Sequence, residues 1–165
     1  MKKAEEWVKQ LALVVHPEGG FFKETYRSTE MISKRELPDR FSGSRNFSTA
    51  IFFLLRSQDR SLFHRIKSDE LWHFHEGSTL TIYILNEMGL TMEKLGPHSE
   101  SGDSFQIAIP ANCWFGAIVD EPDSFTLSGC TVSPGFDFND FDLAERQSLL
   151  KEYPDHAAII TRLTK

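Results

Sequence analysis

The apolar positions change period twice along the chain, and each change predicts a change of structure. In residues 3 to 14, Trp7, Val8, Leu11 and Val14/Val15 recur at helical spacing, which predicts a short amphipathic helix. His16-Pro17-Glu18-Gly19-Gly20 stops it, because proline and paired glycines cannot continue a helix. Phe21 to Arg27 reads as a strand, and the polar residues 28 to 45 read as a long surface loop. From Phe47 to Leu55 a near-continuous apolar run predicts a strand buried on both faces. Strand-like runs follow at 61–67, 70–76, 79–85, 88–94, 104–109, 113–119 and 124–132, divided by turn-rich pieces such as Glu76-Gly77-Ser78. After Ser133-Pro134-Gly135 the period lengthens again. Phe141, Leu143, Ala144, Leu149 and Leu150 predict a helix starting near Asp140 or Asp142, Pro154 breaks it, and 157–163 predicts one more. Short, evenly spaced strands without helices between them indicate an all-β sandwich or barrel, here with short flanking N- and C-terminal helices. No repeat or linker divides residues 1–165, so one domain is expected.

Composition narrows the partners. A chain of 165 residues with 40% hydrophobic content can bury a sizeable core. A formal charge of -6 argues against nucleic acid, whose phosphates need a concentrated basic surface. No apolar run approaches the roughly 20 residues of a membrane span. The charged start Met1-Lys2-Lys3-Ala4-Glu5-Glu6-Trp7 lacks a signal-peptide core. Cys113 and Cys130, both in strand-like sequence, are too few for a disulfide framework and are expected as free thiols in a cytoplasmic protein.

The chemistry concentrates in Ser68-Asp69-Glu70-Leu71-Trp72-His73-Phe74-His75-Glu76-Gly77, with His64 just upstream. Imidazoles and carboxylates held among aromatics suit proton transfer, metal binding or capture of a polar ligand. His16 and His98 fall in turn-like sequence and are expected at the surface, and His156 is expected to be structural. The acidic run 137–142 reads as a helix-entry cap.

Glu70 and Gly77, with Pro110-Ala111-Asn112-Cys113-Trp114-Phe115, resemble a degenerate pair of cupin motifs. A longer resemblance, to the uncharacterised cupin-5 family, runs through His16-Pro17-Glu18-Gly19-Gly20-Phe21-Phe22-Lys23-Glu24-Thr25-Tyr26-Arg27-Ser28, Ser48-Thr49-Ala50-Ile51, 63–74 and Val132-Ser133-Pro134-Gly135-Phe136-Asp137-Phe138. It implies a double-stranded β-helix (cupin jelly roll), commonly a homodimer, with structural similarity to dTDP-sugar epimerases and other metal-free cupins. In the Glu70 register the usual first-motif histidines fall at Phe63 and Arg65, and the second-motif histidine is replaced by Phe115. No metal and no cofactor are therefore expected. A pair of histidines at His73 and His75, sharing one strand face, keeps a metal-dependent dioxygenase or isomerase open as an alternative.

Strand parity sorts the remaining candidates. Glu70, Trp72 and Phe74 share a face that the family register turns inward, while Leu71, His73 and His75 share the other. Phe22, Glu24 and Tyr26 share parity, whereas Arg27, of opposite parity, either pairs with a carboxylate across a dimer or, if the strand bulges, binds an anionic ligand. The sharper functional expectation is an epimerase or isomerase acting on a sugar-like or small carbonyl substrate. His64 would be a neutral imidazole base, Glu70 or Asp69 would orient it, and Tyr26 would return a proton from the other face. Glu24, Arg27, Trp72, His73, His75 and Phe115 are the candidate ligand-binding residues. A non-catalytic sugar or nucleotide binding module is the competing expectation.

Overall fold

The computed structural model describes residues 3–165. After helix α1 (Ala4–Gln10) come β1 (Val14–Val15), β2 (Phe21–Arg27), β3 (Met31–Ile32), β4 (Arg45–Asn46), β5 (Thr49–Arg56), β6 (Ser61–Arg65) and β7 (Asp69–Gly77). The chain continues through β8 (Leu80–Asn86), β9 (Gly89–Leu95), β10 (Gln106–Ile109), β11 (Trp114–Val119), β12 (Phe125–Ser133) and β13 (Asp142–Leu143). It ends with helices α2 (Arg146–Glu152) and α3 (Ala157–Arg162). Two antiparallel sheets carry the architecture, one in the order β1-β2-β5-β12-β7-β10 and the other β13-β6-β11-β8-β9. This is the expected mostly-β jelly roll with short terminal helices.

Each central strand is apolar on both sides because each sheet is covered on both sides. Along β5, Phe53 and Leu55 join the core between the sheets with Trp72, Ile82, Ile84, Phe115 and Cys130. The alternate residue Leu54 packs outward with Phe125, Leu127 and the α1 residue Ala4. On the opposite sheet, Phe63, Leu85 and Ile118 pack outward under Leu149, Ile160 and Leu163 of the C-terminal segment. Each such side chain contributes about 1.5–3 kcal/mol when fully buried. The short helices are thus held by the apolar face they cover and not by intrinsic propensity.

Three boundaries differ from expectation. The first helix ends at Gln10, and Val14–Val15 instead extends the sheet as an edge strand paired with Phe21 and Phe22. The loop at 28–45 contains the β3–β4 pair and the buried side chains Leu37 and Phe41. The helix expected near Asp140 begins at Arg146, capped by the Glu145 carboxylate, which accepts from Gln147 N and Ser148 N. Residues 142–143 pair with β6 instead, and that pairing brings the preceding aromatic segment across the sandwich. The acidic run does cap a short turn, with Asp137 accepting from Asn139 N. Its Asp140, however, is buried in a two-pronged ion pair with Arg45, both contacts 2.6 Å.

Candidate functional site

A cavity of about 310 Å³ opens between the sheets at the end where β2, β5, β6, β7 and β12 converge. Its floor is polar, made by His16, Glu18, His64, Glu70 and Cys130. Its walls are aromatic, with Phe22, Phe53 and Trp72 on one side and Phe136, Phe138 and Phe141 on the other. Glu24, Arg27 and Asp137 also line it, the first two exposed, together with Thr49, Ile51, Ile66 and Val132.

The local sequence explains each placement. Glu70 and Trp72 point inward because they pair with Val132 and Cys130, inward-facing residues of β12. In β2 the register with β5 shifts between Glu24 and Tyr26, so Thr25 is an extra residue. That bulge resets the alternation. Arg27, opposite Thr49, joins Phe22 and Glu24 on the cavity side, and Tyr26 turns outward, 54% exposed. Glu18 is carried by the turn before β2. A Cβ on Gly19 would lie 2.0 Å from the Arg60 carbonyl oxygen, so only glycine lets this turn press against β6. The Glu18 carbonyl then accepts from Leu62 N at 2.8 Å, which fixes the Glu18 side chain under His64.

The two buried carboxyls are in opposite electrostatic surroundings. Glu18 Oε2 lies 2.9 Å from His64 Nε2, and Glu18 Oε1 accepts from Ser61 Oγ at 2.8 Å. Burial alone would favour its neutral form, but the charge of His64, the nearby His16 and these hydrogen bonds outweigh burial and hold its pKa below the usual range. His64 Nδ1 lies 2.7 Å from the Leu62 carbonyl oxygen. A carbonyl can only accept, so Nδ1 carries a proton, and Nε2 donates to Glu18. Against the cost of burial, Glu18 and, more weakly, Glu70 raise the His64 pKa, and the ring is an imidazolium. His16 moves the other way, its pKa lowered by burial despite the adjacent Glu18. Glu18 N donates to His16 Nδ1 at 3.3 Å, which leaves the neutral ring's proton on Nε2. Glu70 has no such cation of its own. Burial raises its pKa to about 7, with the His64 charge only partly opposing. It contacts the Cys130 thiol, itself raised well above its ordinary value by burial and by Glu70. The Trp72 indole N–H leans toward Glu70 without a hydrogen bond of ordinary geometry.

Several expectations are corrected by this geometry. His64 cannot act as a neutral base in this arrangement, because both ring nitrogens carry protons directed at protein acceptors. Tyr26 faces away from the cavity, so it cannot return a proton there. His73 and His75 lie on the outer face. His73 bonds Thr131 Oγ1 and the Gln106 amide, and His75, at the register shift of β7 against β12, is exposed and packs edge-on to Phe52. Phe115 does not line the cavity. It is buried behind His64, ring centroids 4.1 Å apart. His16, expected at the surface, is buried in the floor. The arrangement that sequence reasoning missed is His16–Glu18 beneath His64. The signal was available, since Glu18 stands between a proline and two glycines inside the resembling motif.

With this geometry in hand, comparison with known proteins is decisive for the family. Residues 5–144 match the model of Cupin_5, described as Cupin superfamily (DUF985). The chain belongs to this cupin family. A solved structure of protein SO0799 from Shewanella oneidensis is 39% identical, with a TM-score of 0.89 over 100% of this chain and 99% of that one. A hypothetical protein from Leishmania major is 31% identical, with a TM-score of 0.90 over 99% of each chain. A Saccharomyces cerevisiae relative, Uncharacterized protein YML079W, is 26% identical over 93% of this chain and 82% of its own length. Oxalate decarboxylase from Bacillus subtilis shares the fold at 14% identity, with a TM-score of 0.55 over 90% of this chain and 36% of that one.

Cupins commonly hold a metal between such sheets, and the donors here do not fit one. Among the described residues no group of three or more His, Cys, Asp or Glu side chains is placed to hold an ion. The nearest candidates are spent on one another. His64 Nε2 donates to Glu18 in place of offering a lone pair, and His16 Nδ1 accepts from Glu18 N. Of the motif positions, Phe63, Arg65 and Phe115 offer no ligand, and Glu70 alone does not make a site. Nor, among the described residues, is any helix long and apolar enough to cross a membrane.

Proposed function

We propose that this cupin binds a small carbonyl compound between its sheets and moves a proton on it with Glu70, as an isomerase. The observation that carries the reading is the separation of the two buried carboxyls, Glu18 held ionised and Glu70 raised to about 7. Such a pair marks which group exchanges protons and which stays charged. A carboxyl poised near neutrality is present in both forms at physiological pH, as a general acid–base requires.

Glu70, when ionised, removes a proton from the carbon next to the carbonyl. The C–H electrons pass into the conjugated system, and the negative charge rests on the carbonyl oxygen. The same carboxyl then returns the proton to another carbon of that system. The neutral His16 ring, protonated at Nε2, and the Trp72 indole N–H are the lining donors suited to the oxygen. The Glu18–His64 pair remains fixed and stabilises charge developing nearby. With Tyr26 outside, no phenol stands opposite Glu70, and a single group serving a single face favours isomerisation over a two-sided epimerisation.

The test is solvent-deuterium incorporation, followed by NMR, into a panel of small aldehydes and ketones. The expected result is exchange that falls by at least about a hundredfold in Glu70→Gln, the effect of losing a general base. Exchange that persists in that variant would remove Glu70 from the chemistry. A compound that binds and shields the cavity but never exchanges would make the protein a binding module.

A further inference from the structure

Every cation around the cavity is already engaged. Arg27 has five N–H donors, and all five are used. Nε donates to Glu24 Oε1 at 3.0 Å and Nη2 to Glu24 Oε2 at 2.8 Å. Nη2 also reaches the Phe136 carbonyl at 3.1 Å, while Nη1 bonds Asn46 Oδ1 at 2.8 Å and the same carbonyl at 3.1 Å. Arg27 is therefore a strut between β2 and the 136–141 segment and not an anion receptor. His64 is spent on Glu18 and the Leu62 carbonyl. His16 is neutral, and among the described residues no lysine lines the space. What remains facing a guest is Glu70, the Asp137 carboxylate, the uncharged N–H groups of His16 and Trp72, and the faces of Phe22, Phe136, Phe138 and Phe141. Aromatic faces carry partial negative charge.

We infer that the cavity selects guests without an anionic group, namely neutral or positively charged small molecules with an apolar or aromatic body, and rejects phosphates, nucleotides and carboxylates. A buried anion would lose its water and gain no counter-ion. An ammonium or a neutral hydroxyl or carbonyl meets carboxylates and ring faces instead. This excludes the sugar nucleotides that the epimerase likeness implied. The inference rests on the cavity reading above but not on turnover.

The experiment titrates isotope-labelled full-length protein with phenylpropionate, phenylpropanol and phenylpropylamine, and with thymidine against thymidine diphosphate, following the Trp72 indole signal by NMR. The alcohol, the amine and thymidine are expected to bind at least about tenfold more tightly than their anionic counterparts. In Glu24→Gln, whose partner Arg27 regains free donors, phenylpropionate is expected to gain about tenfold in affinity. The inference is overturned if the acid or the diphosphate binds first, if none of the compounds reaches Trp72, or if Glu24→Gln leaves the affinity for phenylpropionate unchanged. Selective binding without deuterium exchange would leave this inference standing and remove the isomerase proposal.

Discussion

Replacing Glu70 by glutamine should stabilise the protein at neutral pH and not at acid pH. In the unfolded chain Glu70 ionises around 4.5, whereas in the folded protein it keeps its proton until about 7. Between those values the folded state binds more protons than the unfolded state, so this residue's contribution to stability falls as pH rises. Below 4.5 the residue is neutral in both states and costs nothing. Above 7 the full cost of ionising it among Trp72, Cys130 and Ile66 is present. At 1.36 kcal/mol per pH unit, the displacement corresponds to about 3 kcal/mol. Glutamine has nearly the same shape and no charge, so it removes that cost. The assay is urea unfolding of the wild type and Glu70→Gln at intervals from pH 4.5 to 8.5. The difference in unfolding free energy should grow by about 3 kcal/mol toward the variant and level off above pH 7, a melting-temperature gain of about 6–12 °C for a domain of this size. A difference that does not change with pH would refute the reasoning, because it would make Glu70 an ordinary carboxylate in both states.

Further outcomes follow from the same geometry. Glu18→Ala strips a buried imidazolium of its partner and should cost about 3–5 kcal/mol at pH 6, measured by urea unfolding. That loss should shrink as pH rises through the raised His64 pKa, where the wild-type pair itself loses its charge. Tyr26→Phe should leave deuterium exchange unchanged and stability within about 0.5 kcal/mol, because the phenol is exposed outside the cavity. The double variant His73→Ala/His75→Ala should leave guest affinity unchanged by titration calorimetry, since both rings lie on the outer sheet face.

The strands were legible because their apolar runs have strand length and turn residues between them, and because Glu70, Trp72 and Phe74 keep a strict alternation. The exchange of Tyr26 for Arg27 was not, since one inserted residue at Thr25 reverses every side chain after it and leaves no mark in composition. Glu18 was read as part of a helix stop and of the resembling motif, and was given no place in the site. Its burial depends on Gly19 and Gly20 adopting left-handed backbone, with φ of 112° and 74°, and on the turn docking beneath β6, a contact between segments far apart in sequence. The helix expected at 140 was displaced for a related reason. Asp140 is consumed by Arg45, and 142–143 extends a sheet, so local propensity yields to partners supplied by the fold.

One cavity holds two carboxyls whose pKa values are displaced in opposite directions. A carboxyl-carbon NMR titration of the free protein, with the Glu18 and Glu70 signals assigned by substitution, tests it directly. The predicted result is a Glu70 midpoint near 7 and a Glu18 signal already ionised below the usual carboxylate range. Two signals titrating together between about 4 and 5, as in solvent-exposed glutamates, would contradict it.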